Sequence, residues 1–287
     1  LSTPWNATSG FNYANGGPST TNGSLMDKRG LKVVIERQDM YDQMIAEHAK
    51  FDMAVKNGEK LPSEGTAFSI IMGDGYPGYV AAAKRAGVDL EVVTSLGYSR
   101  GEDKCMGPAE VKQNPQKARG MLIAGVPRDG DLHICFKWAT DNNIPINANP
   151  KVYDPNAMNF VEVGPFTEAD EKVISGATET RPVIENGKLT GERRSVKVTG
   201  TGTWFPGDEK VVRECSKNGS PCYGITSIAS TKEYRYQMPS ILIGNKQWMA
   251  QNPQVVQNLI VAAAEGGEKV RSDEQALNKA AEINAKI

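Results

Sequence analysis

Residues 73–78, Gly73-Asp74-Gly75-Tyr76-Pro77-Gly78, satisfy the spacing G-x-G-x-x-G between an apolar run and a helical pattern. In that setting glycines let backbone amides approach a pyrophosphate at a helix N-terminus. Two residues oppose such a use here. Asp74 sets a carboxylate beside the phosphates, and Pro77 removes one amide from the first turn. The competing readings are a tight turn that presents Asp74, Gly75 and Tyr76 to another ligand, and a purely structural turn. Trp5 and Asn6 offer a flat apolar wall and an amide that both donates and accepts, with Trp5 as a core or hinge residue the alternative. Arg128 precedes a helical pattern beginning near Asp129. Its guanidinium and the free N–H groups of that helix suit a carboxylate, sulfonate or phosphate, unless Asp129 and Asp131 cap the helix themselves. Trp204 supplies a stacking surface and Asp208 an acceptor for an amine or hydroxyl, with Asp208 as a simple N-cap the plainer reading.

Other constellations are sparse. His48 and His133 are the only histidines, and His133 reads as a helix-face residue before it reads as a proton carrier. Nucleophile-elbow, Walker and carboxylate–histidine metal spacings are absent from the sequence. The four cysteines are Cys105, Cys135, Cys215 and Cys222, none in a C-x-x-C pair, so a zinc site would draw on scattered ligands. Cys215 and Cys222 flank the turn-rich Ser216–Pro221 segment, which can bring them together as a disulfide; four reduced thiols are the alternative. A Cys105–Cys135 pair has less in the sequence to support it. Any disulfide would favour an extracytoplasmic compartment.

The elements that must position these residues alternate. Strands are expected at residues 31–35, 66–72 and 90–94, and helices at 40–56 and 76–86, with residues 6–24 mostly loop. A glycine-rich, charged stretch at 97–110 reads as a domain crossing. Beyond it come strands at 121–126 and 159–163, helices at 129–142 and 167–175 with Thr167 as N-cap, and an Asn-Gly hairpin near 181–199. Strands at 223–228 and 239–244 follow. Two helices close the chain, 246–264 interrupted by Pro253 and 274–285 with Leu277, Ala280, Ala281 and Ile283 facing inward. This is an α/β pattern in two lobes, each a mostly parallel sheet flanked by helices. Lobe one takes residues 1–98 plus 235–287, and lobe two takes 99–234.

Composition bounds the function. In 287 residues, 33 Lys and Arg against 34 Asp and Glu give a net charge of −1, without the basic excess of a nucleic-acid binder. Apolar runs such as Leu259–Ala264 fall far short of the roughly 18–20 residues of a membrane span, which predicts a soluble chain. Leu1 at the opening position suggests a processed N-terminus.

The order of elements resembles the type 2 periplasmic substrate-binding proteins of ABC importers, in the nitrate/sulfonate/taurine-like branch. It is also similar to phosphate-type substrate-binding proteins sometimes fused to OmpA-like domains. The resemblance is carried by residues 14–17 (Ala-Asn-Gly-Gly), 71–75, 125–131, 203–208 and 238–246, in the order that fold requires. It implies a two-lobed, periplasmic, monomeric receptor that closes on a small polar or anionic solute and delivers it to an ABC importer permease. It also implies no catalysis, no cofactor and no metal, and contact with the membrane only through the importer. A dinucleotide-dependent oxidoreductase built on Gly73–Gly78, and a surface-assembly protein keeping a binding-protein fold, are the alternatives.

Overall fold

The computed structural model describes every residue except Pro4, Arg128, Asp129 and the side chain of Phe166. The chain forms two units, Leu1–Tyr98 with Met238–Ile287, and Ser99–Gln237. Unit 1 begins with α1 (Ser9–Asn15), α2 (Tyr41–Lys56), β1 (Phe68–Met72), α3 (Tyr76–Arg85) and β2 (Leu90–Tyr98). Unit 2 holds β3 (Asp103–Pro108), α4 (Ala109–Gln113), β4 (Leu122–Gly125), α5 (Gly130–Asp141), β5 (Asn159–Glu162) and α6 (Phe166–Ile174). It continues through β6 (Thr178–Glu185), β7 (Lys188–Lys197), β8 (Gly200–Trp204), α7 (Gly207–Cys215) and β9 (Ile225–Ser230). The chain then completes unit 1 with β10 (Pro239–Asn245), α8 (Lys246–Gln251), α9 (Pro253–Ser272) and α10 (Glu274–Asn284).

In unit 1 the strand order is β1-β10-β2, and β10 runs antiparallel to both neighbours. The expectation of a mostly parallel sheet is corrected here. β10 comes from the far end of the chain and enters between β1 and β2 in the opposite direction, so those two strands share a direction without pairing. Unit 2 is ordered β5-β4-β8-β3-β9, with β4 parallel to β5 and β8, and β3 antiparallel to β8 and β9. Parallel pairing in that sheet is thus confined to β5, β4 and β8.

Residues 6–24 contain a helix that propensity conceals. α1 is rich in Gly and Asn, which favour turns, yet Phe11 and Ala14 are buried with Ile70, Leu242 and Leu259. A Cβ on Gly10 would lie 2.5 Å from the Gly267 Cα, and one on Gly266 would lie 2.2 Å from the Gly10 carbonyl oxygen, so α1 and α9 approach closely only because Gly10 and Gly266 lack side chains. Tertiary packing overrides the weak local preference. Residues 31–35 form only an isolated bridge, Ser19 to Val34, although Leu31 and Ile35 are buried. The 97–110 stretch holds β3, an interior strand between β8 and β9. Pro165, not Thr167, occupies the N-cap of α6. In α10 the buried residues are Ala276, Ala280 and Ile283, while Leu277 is half exposed. The hairpin spans β6 and β7, and Asn186 (φ 51°) and Gly187 (φ 75°) both adopt the left-handed conformation of a type I′ turn.

Candidate functional site

Each unit gathers polar side chains where its strands end and its helices begin, and the two sets differ. In unit 1, Ser2 bridges in parallel to Ile70 of β1 and to Arg37, which makes residues 2–3 a short extra strand beside β1. The chain leaves that strand at Trp5 and turns through Asn6–Thr8, with the Thr8 hydroxyl donating to the Trp5 carbonyl at 2.7 Å. This turn rests on the end of β2: a Cβ on Gly97 would lie 2.5 Å from the Ala7 carbonyl oxygen. β1 ends in the tight turn Gly73–Gly75, where a Cβ on Gly73 would lie 2.6 Å from Pro239 Cγ. Met72 pairs with Ser240, and Ser240 with Gly97. The 5–8 turn, the 73–76 turn and the start of β10 therefore share one end of the sheet.

At that end Thr3 Oγ1, Trp5 Nε1 and Ser240 Oγ are buried without a hydrogen-bond partner among the described residues, on residues only 3%, 6% and 0% exposed. Leaving such a group unsatisfied costs about 1–3 kcal/mol. Among the sequence candidates, Trp5 is buried, Asn6 is exposed, Asp74 and Tyr76 are half-buried and Gly75 is buried. Burial, with a smaller contribution from Glu91, raises the Tyr76 phenol above its ordinary value. Thr3 and Ser240 were not singled out by the sequence. Hydroxyls in apolar strands look like ordinary core residues until pairing brings both to the same end of β1.

In unit 2, α5, α6 and α7 start at the carboxyl ends of the parallel strands β4, β5 and β8, the end of an open α/β sheet at which ligands collect. Gly202 of β8 seats the first turn of α5, since a Cβ there would lie 2.8 Å from the backbone of Asp131. Trp204 pairs with Asp103 across β8 and β3 and is half-buried. Asp208, in the first turn of α7, is buried and forms an ion pair with Lys104 of β3. Its other oxygen, Oδ1, has no hydrogen-bond partner among the described residues. Asp170 of α6 accepts hydrogen bonds from Thr203 at 3.1 Å and Thr201 at 3.4 Å. Burial raises its carboxyl to about 6 against the donation of those hydroxyls. Pro206 takes the N-cap position of α7, so Asp208 acts as a charge partner instead of a cap. Arg128 and Asp129, both sequence candidates, lie outside the described residues. Lys104, Asp170, Thr201 and Thr203 went unnoticed in the sequence, because a lone Lys and a mid-helix Asp carry no motif.

Unit 2 also carries two disulfides, Cys105–Cys135 joining β3 to α5 and Cys215–Cys222 closing the loop after α7. Among the described residues no group of three His, Cys, Asp or Glu side chains is placed to hold a metal ion. Nor is any helix among them long and apolar enough to cross a membrane.

Comparison with solved structures then places the architecture. The chain aligns over 99% of its length with the periplasmic nitrate-binding protein NrtA from Synechocystis PCC 6803, at TM-score 0.64 and 10% identity. The fold is that of the periplasmic binding proteins. Similar alignments join it to the aliphatic sulphonate-binding protein SsuA from Escherichia coli (TM-score 0.58, 12% identity, 99% of this chain and 77% of that one). A Candida albicans protein described as having the generic periplasmic binding protein fold aligns over 100% of this chain and 74% of its own, at TM-score 0.55 and 11% identity. The chain spans 64% of the length of the nitrate-binding protein. No family model and no curated protein matches the sequence.

Proposed function

We propose that this chain is an extracytoplasmic solute-binding protein. It captures a small polar or anionic solute at its strand-end loops and hands it to an ABC importer. The observation that carries this reading is the trio of unsatisfied buried groups at one end of the unit 1 sheet, Thr3 Oγ1, Trp5 Nε1 and Ser240 Oγ. Two hydroxyls and an indole N–H can all donate, so they suit a headgroup rich in acceptor oxygens. A solute that accepts from them recovers the desolvation cost that the free protein bears.

Two further features support the reading. The fold is shared with binding proteins, and paired cysteines suit an oxidising compartment. The dinucleotide alternative loses its structural basis. A Rossmann loop needs a parallel βαβ unit, whereas β1 and β2 each pair with the antiparallel β10 and Gly73 is pressed against Pro239. Native mass spectrometry of the purified protein, followed by calorimetric titration with nitrate, short alkanesulfonates, phosphate, carboxylates and polyols, tests the proposal. At least one is expected to bind, with a saturable heat of binding and a matching mass increment in the native spectrum. A protein that retains no small molecule and binds none of the panel overturns it.

A further inference from the structure

The two disulfides of unit 2 sit at different places with respect to the strand ends. Cys215–Cys222 closes a short local loop, seven residues apart, at the C-terminal end of α7. Cys105–Cys135 spans thirty residues and ties β3 to α5 close to the end of the sheet where Lys104, Asp208 and the start of α5 meet. Cys105 pairs with Gly202, the residue whose missing side chain admits the first turn of α5. Cys135 follows Asp131 by four residues, one helical turn on the same face. Gly125 makes a second such seat, since a Cβ there would lie 2.7 Å from Leu132. Two glycine seats let the helix approach but do not fix its rotation or its position along the strands. The disulfide does. Successive strand residues face opposite sides, so Cys105 serves α5 while Lys104 reaches Asp208 of α7.

We propose that Cys105 and Cys135 are the positioning pair for the solute-contacting strand-end loops of unit 2, so that solute capture depends on this bridge and not on Cys215–Cys222. The inference rests on the solute-binding reading given above. All four sulfurs belong to buried residues, with Cys222 the most accessible at 5% exposure, so the structural bridges are reached by a reductant only through local opening. Reduction by a dithiol breaks the S–S bond, adds two electrons and two protons to give two thiols, and leaves the reductant as its own cyclic disulfide.

The test compares C105A/C135A with C215A/C222A in the full chain. Hydrogen-exchange mass spectrometry is expected to show amides of residues 130–137 exchanging about tenfold faster in the first variant, with unit 1 unchanged and no such effect in the second. Sodium nitrate, ethanesulfonate and inorganic phosphate serve as titrants. Whichever binds the native protein is expected to bind C105A/C135A about tenfold more weakly, and C215A/C222A within about twofold. If C105A/C135A does not fold, C215A/C222A reduced with dithiothreitol replaces it, since Cys105–Cys135 is then the one bridge left to reduce, and reoxidation must restore both readouts. Unchanged exchange at 130–137, equal acceleration by both variants, or unaltered affinity overturns the proposal. If the native protein binds none of the three titrants, the solute-binding reading loses its support while the exchange comparison still decides whether this bridge positions α5.

Discussion

At the end of its sheet, unit 1 keeps Thr3, Trp5 and Ser240 buried with atoms that no group among the described residues satisfies, while unit 2 pairs Lys104 with Asp208 and Asp170 with two threonines. Unit 1 is uncharged at these three positions and carries no cysteine; unit 2 is charged and holds both disulfides. Unsatisfied neutral groups cost the free protein stability that only a bound molecule can restore, whereas a paired network sustains itself. The polar residues of unit 1 therefore bear on binding, and those of unit 2 bear on holding the helix starts in place. Removing an unsatisfied group of unit 1 should stabilise the solute-free protein, whereas breaking the Lys104–Asp208 pair of unit 2 should destabilise it.

The largest effect is expected at Lys104. Lys104→Met keeps the aliphatic stem and removes the charge, which leaves the buried Asp208 carboxylate without a cation and with Oδ1 already unpartnered. Breaking a buried pair in this way costs about 3 kcal/mol, less than a fully enclosed pair because the Lys104 side chain is 25% exposed. The double variant K104M/D208N should recover most of that loss in denaturant unfolding. A single variant that unfolds with the native midpoint would show that the pair is not what holds α7 against β3.

Asp170 gives the opposite sign with a pH signature. Its carboxyl is raised from the model-compound value of 3.8 to about 6, chiefly by burial. The folded state therefore holds this proton more tightly than the unfolded state. The resulting stability is fully present below about pH 4 and is lost as pH rises through 6. Asp170→Asn has no such loss, so it should be more stable than the native protein by about 1–2 kcal/mol at pH 7.5 and equal to it near pH 4. The upper bound from the shift alone is discounted because Thr201 and Thr203 must reorganise around an amide. Thermal unfolding across that range checks the crossover, and parallel curves at both pH values would remove Asp170 as the titrating group.

How much of this was legible in the sequence differs between elements and site. Runs such as Phe68–Met72 and Pro239–Asn245 declare themselves because their apolar side chains are buried on both faces. The Asn186-Gly187 turn does so because it needs two left-handed residues in succession. α1 was hidden, since its helix exists only through the close approach of Gly10 to α9. β3 was hidden by the glycines and charges around it, although its strand core is buried. Site residues were legible where a residue type is rare or bulky, as with Trp5 and Trp204. They were illegible where function comes from pairing. Nothing local distinguishes Ser240 from any strand serine until Met72 and Gly97 flank it, or Asp170 from a surface helix residue until Gly207 leaves room for its carboxylate.

The smallest stability effect is the most discriminating. Ser240→Ala removes a hydroxyl that no protein group satisfies, on a residue without solvent exposure, and leaves β10 hydrogen bonding through its backbone untouched. If that hydroxyl were structural, its loss would destabilise the chain. If it waits for a solute, its removal should stabilise the solute-free protein by about 0.5–1 kcal/mol, because a buried unsatisfied group is gone and only a small void replaces it. The same substitution should weaken the bound solute by about tenfold, the worth of one hydrogen bond to a polar or charged headgroup. Trp5→Phe should follow the same pattern for the indole N–H, with the aromatic packing retained. Chemical denaturation of the solute-free protein and calorimetry with the solute found to bind measure the two halves separately. Loss of stability in both variants without loss of affinity would assign unit 1's unsatisfied groups to the core and remove them from the site.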